Sequence, residues 1–106
     1  DFGNFCIRSK PTQLSDWGAL GGCAVEYDKY KGVQELLPFA RSVSAKSINF
    51  DDEGNCIEID FFKMMKIVKN FGYGGYVSIE YEGTSHSEMD GIALTKRLMK
   101  KAWEVA

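Results

Sequence analysis

The spacing of apolar residues along the chain changes between helical and strand periodicity. Apolar residues recur at helical spacing over 27–37, which predicts a helix that ends before Pro38. A second apolar stripe runs from a predicted cap at Asp60 to Phe71. A third predicted helix begins near Ser85, because Ser85 and Glu88 have the spacing of a capping box.

Strand periodicity occupies the segments between these helices. We predict strands over 41–47 and 76–82, and the tail of a further strand over 1–5. Residues 10–24 contain three glycines and a proline and are predicted to form a loop. The resulting order repeats strand, loop and helix, which is typical of parallel strands joined by right-handed crossovers.

Both main strands alternate apolar and polar residues. Lys46 lies on the polar face of the strand at 41–47, and Glu80 and Glu82 share the polar face of the strand at 76–82. Parallel strands covered on both faces would instead be apolar throughout. The pattern therefore predicts one face packed against helices and one polar face, which suits either an active site or a solvated sheet surface.

Composition and charge exclude some classes of protein. The chain has 106 residues with 13 basic and 15 acidic side chains, so its net charge is −2. Without a basic stripe we expect no nucleic-acid partner. Without an apolar run of about 20 residues we expect no membrane span.

The chain has an odd number of cysteines without a Cys-x-x-Cys pair, namely Cys6, Cys23 and Cys56. We predict free thiols and a cytoplasmic, reducing location. A single disulfide in a secreted or periplasmic protein is the alternative.

Four segments carry a family resemblance: 1–5, 43–47, 50–54 and 72–83, the last with the run Gly-Tyr-Gly-Gly-Tyr-Val-Ser-Ile-Glu-Tyr-Glu-Gly. They resemble the C-terminal part of the sugar phosphate isomerase/epimerase family, the xylose-isomerase-like TIM barrels. The resemblance implies an α/β fold consisting of about the last three βα units of a TIM (β/α)₈-type barrel. Residues 1–106 are then expected to be one domain, a C-terminal fragment of a larger barrel.

The resemblance also implies a divalent-metal site at the barrel rim. Asp1 and Glu80 match two of the metal ligands, and Mn²⁺ or Mg²⁺ is expected, with Zn²⁺ as an alternative. Asn4 stands where several epimerases have a substrate-contacting His. Ser44 stands where the ligand His is usual, so the four-ligand set is incomplete, and Lys46 is the next residue on the same face.

The function implied by the resemblance is isomerisation or epimerisation of a sugar or sugar phosphate by proton transfer next to a carbonyl. Lys46 and Glu80 are the predicted catalytic residues. Glu80 is the carboxylate that takes the proton, and Lys46 is the cation that stabilises the resulting enediolate. The predicted substrate-binding residues are Asn4, Ser44, Glu82 and His86. Trp17 is a further candidate, for stacking on a sugar ring.

Two alternatives come from other classes of function. A non-catalytic carbohydrate-binding or assembly module is favoured by the missing His at the position of Ser44. The second alternative is a lyase or dehydratase with the same fold. The expected partners are a sugar or sugar phosphate and either a second copy of the chain or the missing half of the barrel.

Overall fold

The computed structural model describes residues 1–10 and 22–106. These residues form four strands, which pair two by two, and three α-helices. In order, the elements are β1 (Cys6–Ser9), β2 (Cys23–Glu26), α1 (Lys29–Leu36), a short 3₁₀ helix (Leu37–Phe39), β3 (Val43–Ser47), α2 (Phe61–Phe71), β4 (Val77–Tyr81) and α3 (Glu88–Val105).

The first two strands form an antiparallel hairpin that the sequence pattern did not predict. β1 pairs with β2 so that Cys6 lies opposite Glu26 and Ser9 lies opposite Cys23. A disulfide joins Cys6 to Cys23, and the backbone N–H of Tyr27 donates to the carbonyl of Phe5 at 2.9 Å. The predicted free thiols at these two positions are therefore wrong, and β2 lies partly within the predicted loop.

This hairpin also overturns the predicted fold. In a TIM-type barrel all the strands run parallel, whereas the described residues contain one antiparallel pair and one parallel pair, β3 with β4. The partial-barrel prediction is wrong because β1 hydrogen-bonds to β2 instead of continuing a parallel sheet. The expected association with a missing half of the barrel depended on this fold prediction.

The second helix agrees with the sequence pattern at both ends. Asp60 caps it, with its Oδ1 accepting from the backbone N–H of Lys63 at 3.0 Å. Gly72 ends it in a left-handed conformation with φ of +83°, which L-residues with a side chain rarely adopt. Phe71 belongs to the predicted apolar stripe but is 48% exposed.

The third helix begins two residues later than predicted. Ser87, not Ser85, is its N-cap, and the Ser87 hydroxyl accepts from the backbone N–H of Asp90 at 3.2 Å. Glu88 is consequently the first helical residue rather than the fourth member of a capping box. No helix within residues 1–10 and 22–106 is both long and apolar enough to cross a bilayer.

The hydrophobic core lies between the strands β3 and β4 and the helices. Phe2 and Phe61 are fully buried, and their rings meet edge to face with centroids 5.6 Å apart. The other buried apolar side chains come from all three helices, β3 and the connection before α2. They are Val33, Leu37, Val43, Ala45, Ile48, Cys56, Ile59, Met64, Met65, Val68, Leu98 and Ala102.

Gly91 lets α3 lie directly against β4. A Cβ at this position would stand 2.2 Å from Cδ2 of Tyr81 and 2.4 Å from its Cγ, close to the base of the ring. We expect Gly91→Ala to lower the free energy of unfolding by about 1–2 kcal/mol, because the overlap outweighs the better helix propensity of alanine. Urea unfolding measures the change. Gly74→Ala, where an added Cβ meets nothing within 4 Å, is the matched control; equal stabilities of the two variants would contradict this packing.

Candidate functional site

A buried lysine and three carboxylates form the most polar cluster among the described residues. The Nζ of Lys46 donates to the Oδ1 of Asn4 at 2.6 Å. The same Nζ lies 3.6 Å from Asp1 Oδ2, 3.7 Å from Glu80 Oε1 and 3.4 Å from Glu82 Oε2. We call these five residues the Lys46 cluster.

The parallel pairing of β3 with β4 places the lysine beside the glutamates. Lys46 is directly opposite Glu80 in the strand register. Past the end of β4, the backbone N–H of Glu82 donates to the carbonyl of Ser47 at 2.9 Å, which continues the pairing by one residue. Ser44, two residues before Lys46 and on the same face, donates its hydroxyl to Oε2 of Glu80 at 2.8 Å.

The first residues of the chain lie along β3 and complete the cluster. The backbone N–H of Phe2 donates to the carbonyl of Ser44 at 3.0 Å. The Asp1 carboxylate accepts from the backbone N–H of Gly3 at 2.7 Å and from the amide of Asn4 at 2.8 Å. This network orients the Asn4 amide so that its oxygen faces Lys46.

Gly3 is a residue of the site that the sequence pattern did not single out. A Cβ at Gly3 would stand 2.7 Å from Cδ of Lys46. A glycine here therefore allows the lysine stem to pass close to the backbone. Its only signal in the sequence is its position between Asp1 and Asn4.

Burial within the cluster is uneven. The side chain of Lys46 is 3% exposed, whereas those of Asp1, Glu80 and Glu82 are 21%, 35% and 44% exposed. The lysine side chain is thus almost wholly buried, whereas the carboxylates paired with it remain partly hydrated. Because three carboxylates surround one side-chain ammonium, the side chains of the cluster carry an excess of negative charge.

Glu80 is held in its ionised form. Its partial burial raises the pKa of the carboxyl. The Ser44 hydroxyl, which donates to Oε2, and the charge of Lys46 favour the ionised form, and the pKa of Glu80 lies below its ordinary value. At neutral pH this group is a carboxylate able to accept hydrogen bonds.

An open cleft of about 360 Å³ adjoins the cluster and is lined by Asn4, Cys6, Lys46 and Glu82. The disulfide-bonded Cys6 thus belongs to the wall of the cleft, a role that the sequence pattern did not suggest. The cleft offers an ammonium, an amide and a carboxylate within a small space. Such a group of convergent polar side chains is typical of a site for a small molecule.

His86 does not join the other predicted site residues. Its backbone N–H donates to the hydroxyl of Tyr81 at 3.1 Å, and its ring lies edge-on to Phe50 with centroids 6.1 Å apart. It is exposed and does not line the cleft. Trp17 lies outside the described residues.

The donor set fits a divalent metal poorly. The two predicted ligands, Asp1 and Glu80, both lie within 4 Å of the Lys46 ammonium, which repels a second cation. Among the residues that the structure describes, no three His, Cys, Asp or Glu side chains are grouped so as to hold a metal ion. The Mn²⁺, Mg²⁺ or Zn²⁺ site stays an untested prediction.

Comparison with known proteins assigns no class to the chain. No known protein family matches its sequence, and a search of curated proteins finds no relative. The resemblance to sugar phosphate isomerases therefore stays a prediction.

Proposed function

We propose that the cleft beside the Lys46 cluster binds a small, uncharged, hydroxyl-rich molecule, a sugar in chemical class. The observation that carries the proposal is the Lys46 ammonium held by Asn4 and three carboxylates at the wall of a cleft of about 360 Å³. A sugar hydroxyl both donates and accepts hydrogen bonds. It therefore matches a wall that combines the acceptors of Glu82 and Asn4 with the donor of Lys46.

The charge of the cluster favours a neutral sugar over a sugar phosphate. Glu80 is ionised at neutral pH, and Glu82 lies at the edge of the cleft with 44% of its side chain exposed. A phosphate monoester carries nearly two negative charges. It would be repelled by the side-chain carboxylates, which outnumber the side-chain ammonium three to one.

Proton transfer next to a carbonyl is a second candidate function, at the Lys46 cluster beside the cleft, because Glu80 belongs to the cluster but does not line the cleft. It is favoured by the Glu80 carboxylate, which lies 3.7 Å from the Lys46 ammonium. In this mechanism Glu80 takes the proton from the carbon next to the carbonyl, and Lys46 donates a hydrogen bond to the oxygen as it becomes an enolate. Return of the proton to the neighbouring carbon, with the hydroxyl proton passing to the former carbonyl oxygen, gives isomerisation. Protonation of the original carbon from the opposite face by water gives epimerisation.

One NMR experiment in D₂O tests both candidates. The chain is incubated with fructose, xylose, inositol and a ketose phosphate, each at about 10 mM, and saturation transfer from protein to ligand reports binding. Loss of the C–H signal next to the carbonyl reports proton exchange. We expect saturation transfer to at least one neutral sugar, and binding about fivefold weaker or more in Glu82→Gln, which removes a charged acceptor.

Glu104→Gln, at an exposed position of α3, is the matched control and should bind like the unaltered chain. Proton exchange with D₂O that disappears in Glu80→Gln, while the sugar still binds, would establish proton transfer by Glu80. Binding without exchange would establish a carbohydrate-binding module instead. No saturation transfer to any neutral sugar would overturn the proposed function.

The disulfide bears on the compartment in which this function operates. Disulfides persist mainly in oxidising surroundings, and Cys6, at the wall of the cleft, is paired with Cys23. This pairing favours a secreted or periplasmic location over the cytoplasmic one predicted from the cysteine count.

A further inference from the structure

A second and larger cleft lies between α1 and α2. Its volume is about 490 Å³, and we call it the α1–α2 groove. Its cationic wall consists of Lys31, Lys63 and Lys66, and its apolar wall includes Ile67 and Phe71. None of these residues belongs to the Lys46 cluster, so the groove is a separate candidate site.

The groove concentrates positive charge on an acidic protein. Three lysines and a single acidic residue, Asp28, line the groove, although the whole chain has a net charge of −2. The Lys31 ammonium lies 5.9 Å from the centroid of the Tyr27 ring. The Oδ1 of Asp28 already accepts from the backbone N–H groups of Tyr30 at 2.9 Å and Lys31 at 3.1 Å, as the cap of α1. Within residues 1–10 and 22–106, the ion pairs of at most 4 Å involve Lys29 and Lys46 but none of the three groove lysines.

The charged and apolar parts of the groove come from different ends of the helices. Lys31 and Lys63 lie in the first turns of α1 and α2, where the helix dipoles add positive potential. Leu37 and Phe71 lie at the opposite ends, and Phe71 is 48% exposed. The aromatic ring of Tyr30 lies at the cationic end, with the Lys63 ammonium 4.2 Å from its centroid.

We propose that the α1–α2 groove binds a small phosphate monoester that carries a flat aromatic group, the chemistry of a nucleoside monophosphate. The phosphate contacts the ammonium groups of Lys31, Lys63 and Lys66, and the aromatic group covers the exposed face of Phe71. A phosphate monoester has close to two negative charges at neutral pH. That charge balances the excess of three lysines over one aspartate.

Titration of the full chain with adenosine monophosphate tests the proposal. Backbone amide shifts in ¹⁵N NMR spectra report both the affinity and the place of binding, and those of Lys31, Gln34 and Asn70 should move. We expect the double variant Lys63→Met/Lys66→Met to bind about tenfold more weakly or worse, because two of the three phosphate contacts are lost. Higher salt should weaken binding by the unaltered chain, since the contacts are exposed charges.

Lys96→Met, at an exposed position of α3 outside the groove, is the matched control and should bind like the unaltered chain. Unchanged thermal midpoints of the variants exclude a folding defect as the cause of weaker binding. Adenosine should bind about tenfold more weakly than its monophosphate, and inorganic phosphate should also bind more weakly. Equal affinity for adenosine would overturn the role of the lysines, and equal affinity for inorganic phosphate would overturn the role of the aromatic end.

Absence of shifts up to about 5 mM monophosphate would overturn the whole proposal. Shifts centred on Asn4 and Glu82 would also overturn it, because they would place the ligand in the other cleft. Sugar binding is judged from the neutral sugars alone and with a different variant, so the two sites are tested independently.

Discussion

Replacing Lys46 with methionine is expected to lower the free energy of unfolding by about 2–3 kcal/mol at pH 7, and by less in acid. Methionine preserves most of the apolar stem but removes the ammonium, which leaves three carboxylates close together. Loss of one partner from a fully buried ion pair costs about 3–5 kcal/mol. The loss here is smaller because the carboxylates are 21–44% exposed and water partly solvates them.

The sign of the pH dependence follows from Glu80. In the unaltered chain the pKa of Glu80 is lower in the folded than in the unfolded state. Its contribution to stability is therefore present above the unfolded pKa and is lost as the pH falls through the folded pKa. Without Lys46, the neighbouring carboxylates raise the pKa of Glu80, so protonation in acid stabilises the folded variant.

Urea unfolding at pH 7 and at about pH 4 measures this difference. The difference in the free energy of unfolding between the unaltered chain and Lys46→Met should be smaller at the lower pH. Lys96→Met, whose side chain is exposed on α3, should differ from the unaltered chain by less than about 0.5 kcal/mol at both pH values. A difference in the free energy of unfolding that is constant with pH would contradict the charge of Lys46 as the cause of the lost stability.

Reduction of the Cys6–Cys23 disulfide is expected to lower the free energy of unfolding by about 3 kcal/mol, the chain-entropy value for a loop of this length. The two cysteines are 17 positions apart and join β1 to β2. The cross-link restricts the unfolded chain, and the hairpin that it holds carries Cys6 at the wall of the cleft beside the Lys46 cluster. Cys56 is buried and free, so it should not contribute to the effect of a reductant.

Urea unfolding with and without dithiothreitol measures the effect, and Cys6→Ser/Cys23→Ser is the control. This double variant should unfold like the reduced chain, and adding reductant should change it no further. Alkylation of the unfolded, unreduced chain should modify one thiol, that of Cys56. Modification of all three cysteines, or identical unfolding with and without reductant, would contradict the disulfide.

Lys46, Glu80 and Glu82 of the Lys46 cluster could be grouped in advance because of local geometry, whereas Asp1 and Asn4 were identified through the family resemblance. Alternation along a strand places Ser44 and Lys46 on one face, and Glu80 and Glu82 on one face of another strand. The parallel register then sets Lys46 opposite Glu80. His86 was separated from this group because it follows β4 in a connection whose path depends on packing against Phe50 and Tyr81.

The hairpin could not be predicted by the same means. β1 and β2 are four residues each, and both expose apolar side chains such as Ile7 and Val25. They therefore lack the alternation of buried apolar and exposed polar residues by which a strand is recognised in a sequence. Their pairing depends on contacts between distant parts of the chain, including a disulfide that three cysteines at wide spacing do not specify. The same lack of long-range information led to the wrong barrel prediction.

The sequence by itself determined where the second and third helices run to within two residues, and which polar residues share a strand face. Both properties depend on neighbours a few positions apart, through caps, side-chain periodicity and turn glycines. Only the tertiary structure decided that β1 pairs antiparallel with β2, that Lys46 is enclosed by three carboxylates, and that α1 and α2 leave a lysine-lined groove. Those features depend on which distant segments pack together. The free energy of that packing arises from contacts throughout the chain and cannot be inferred from any one segment.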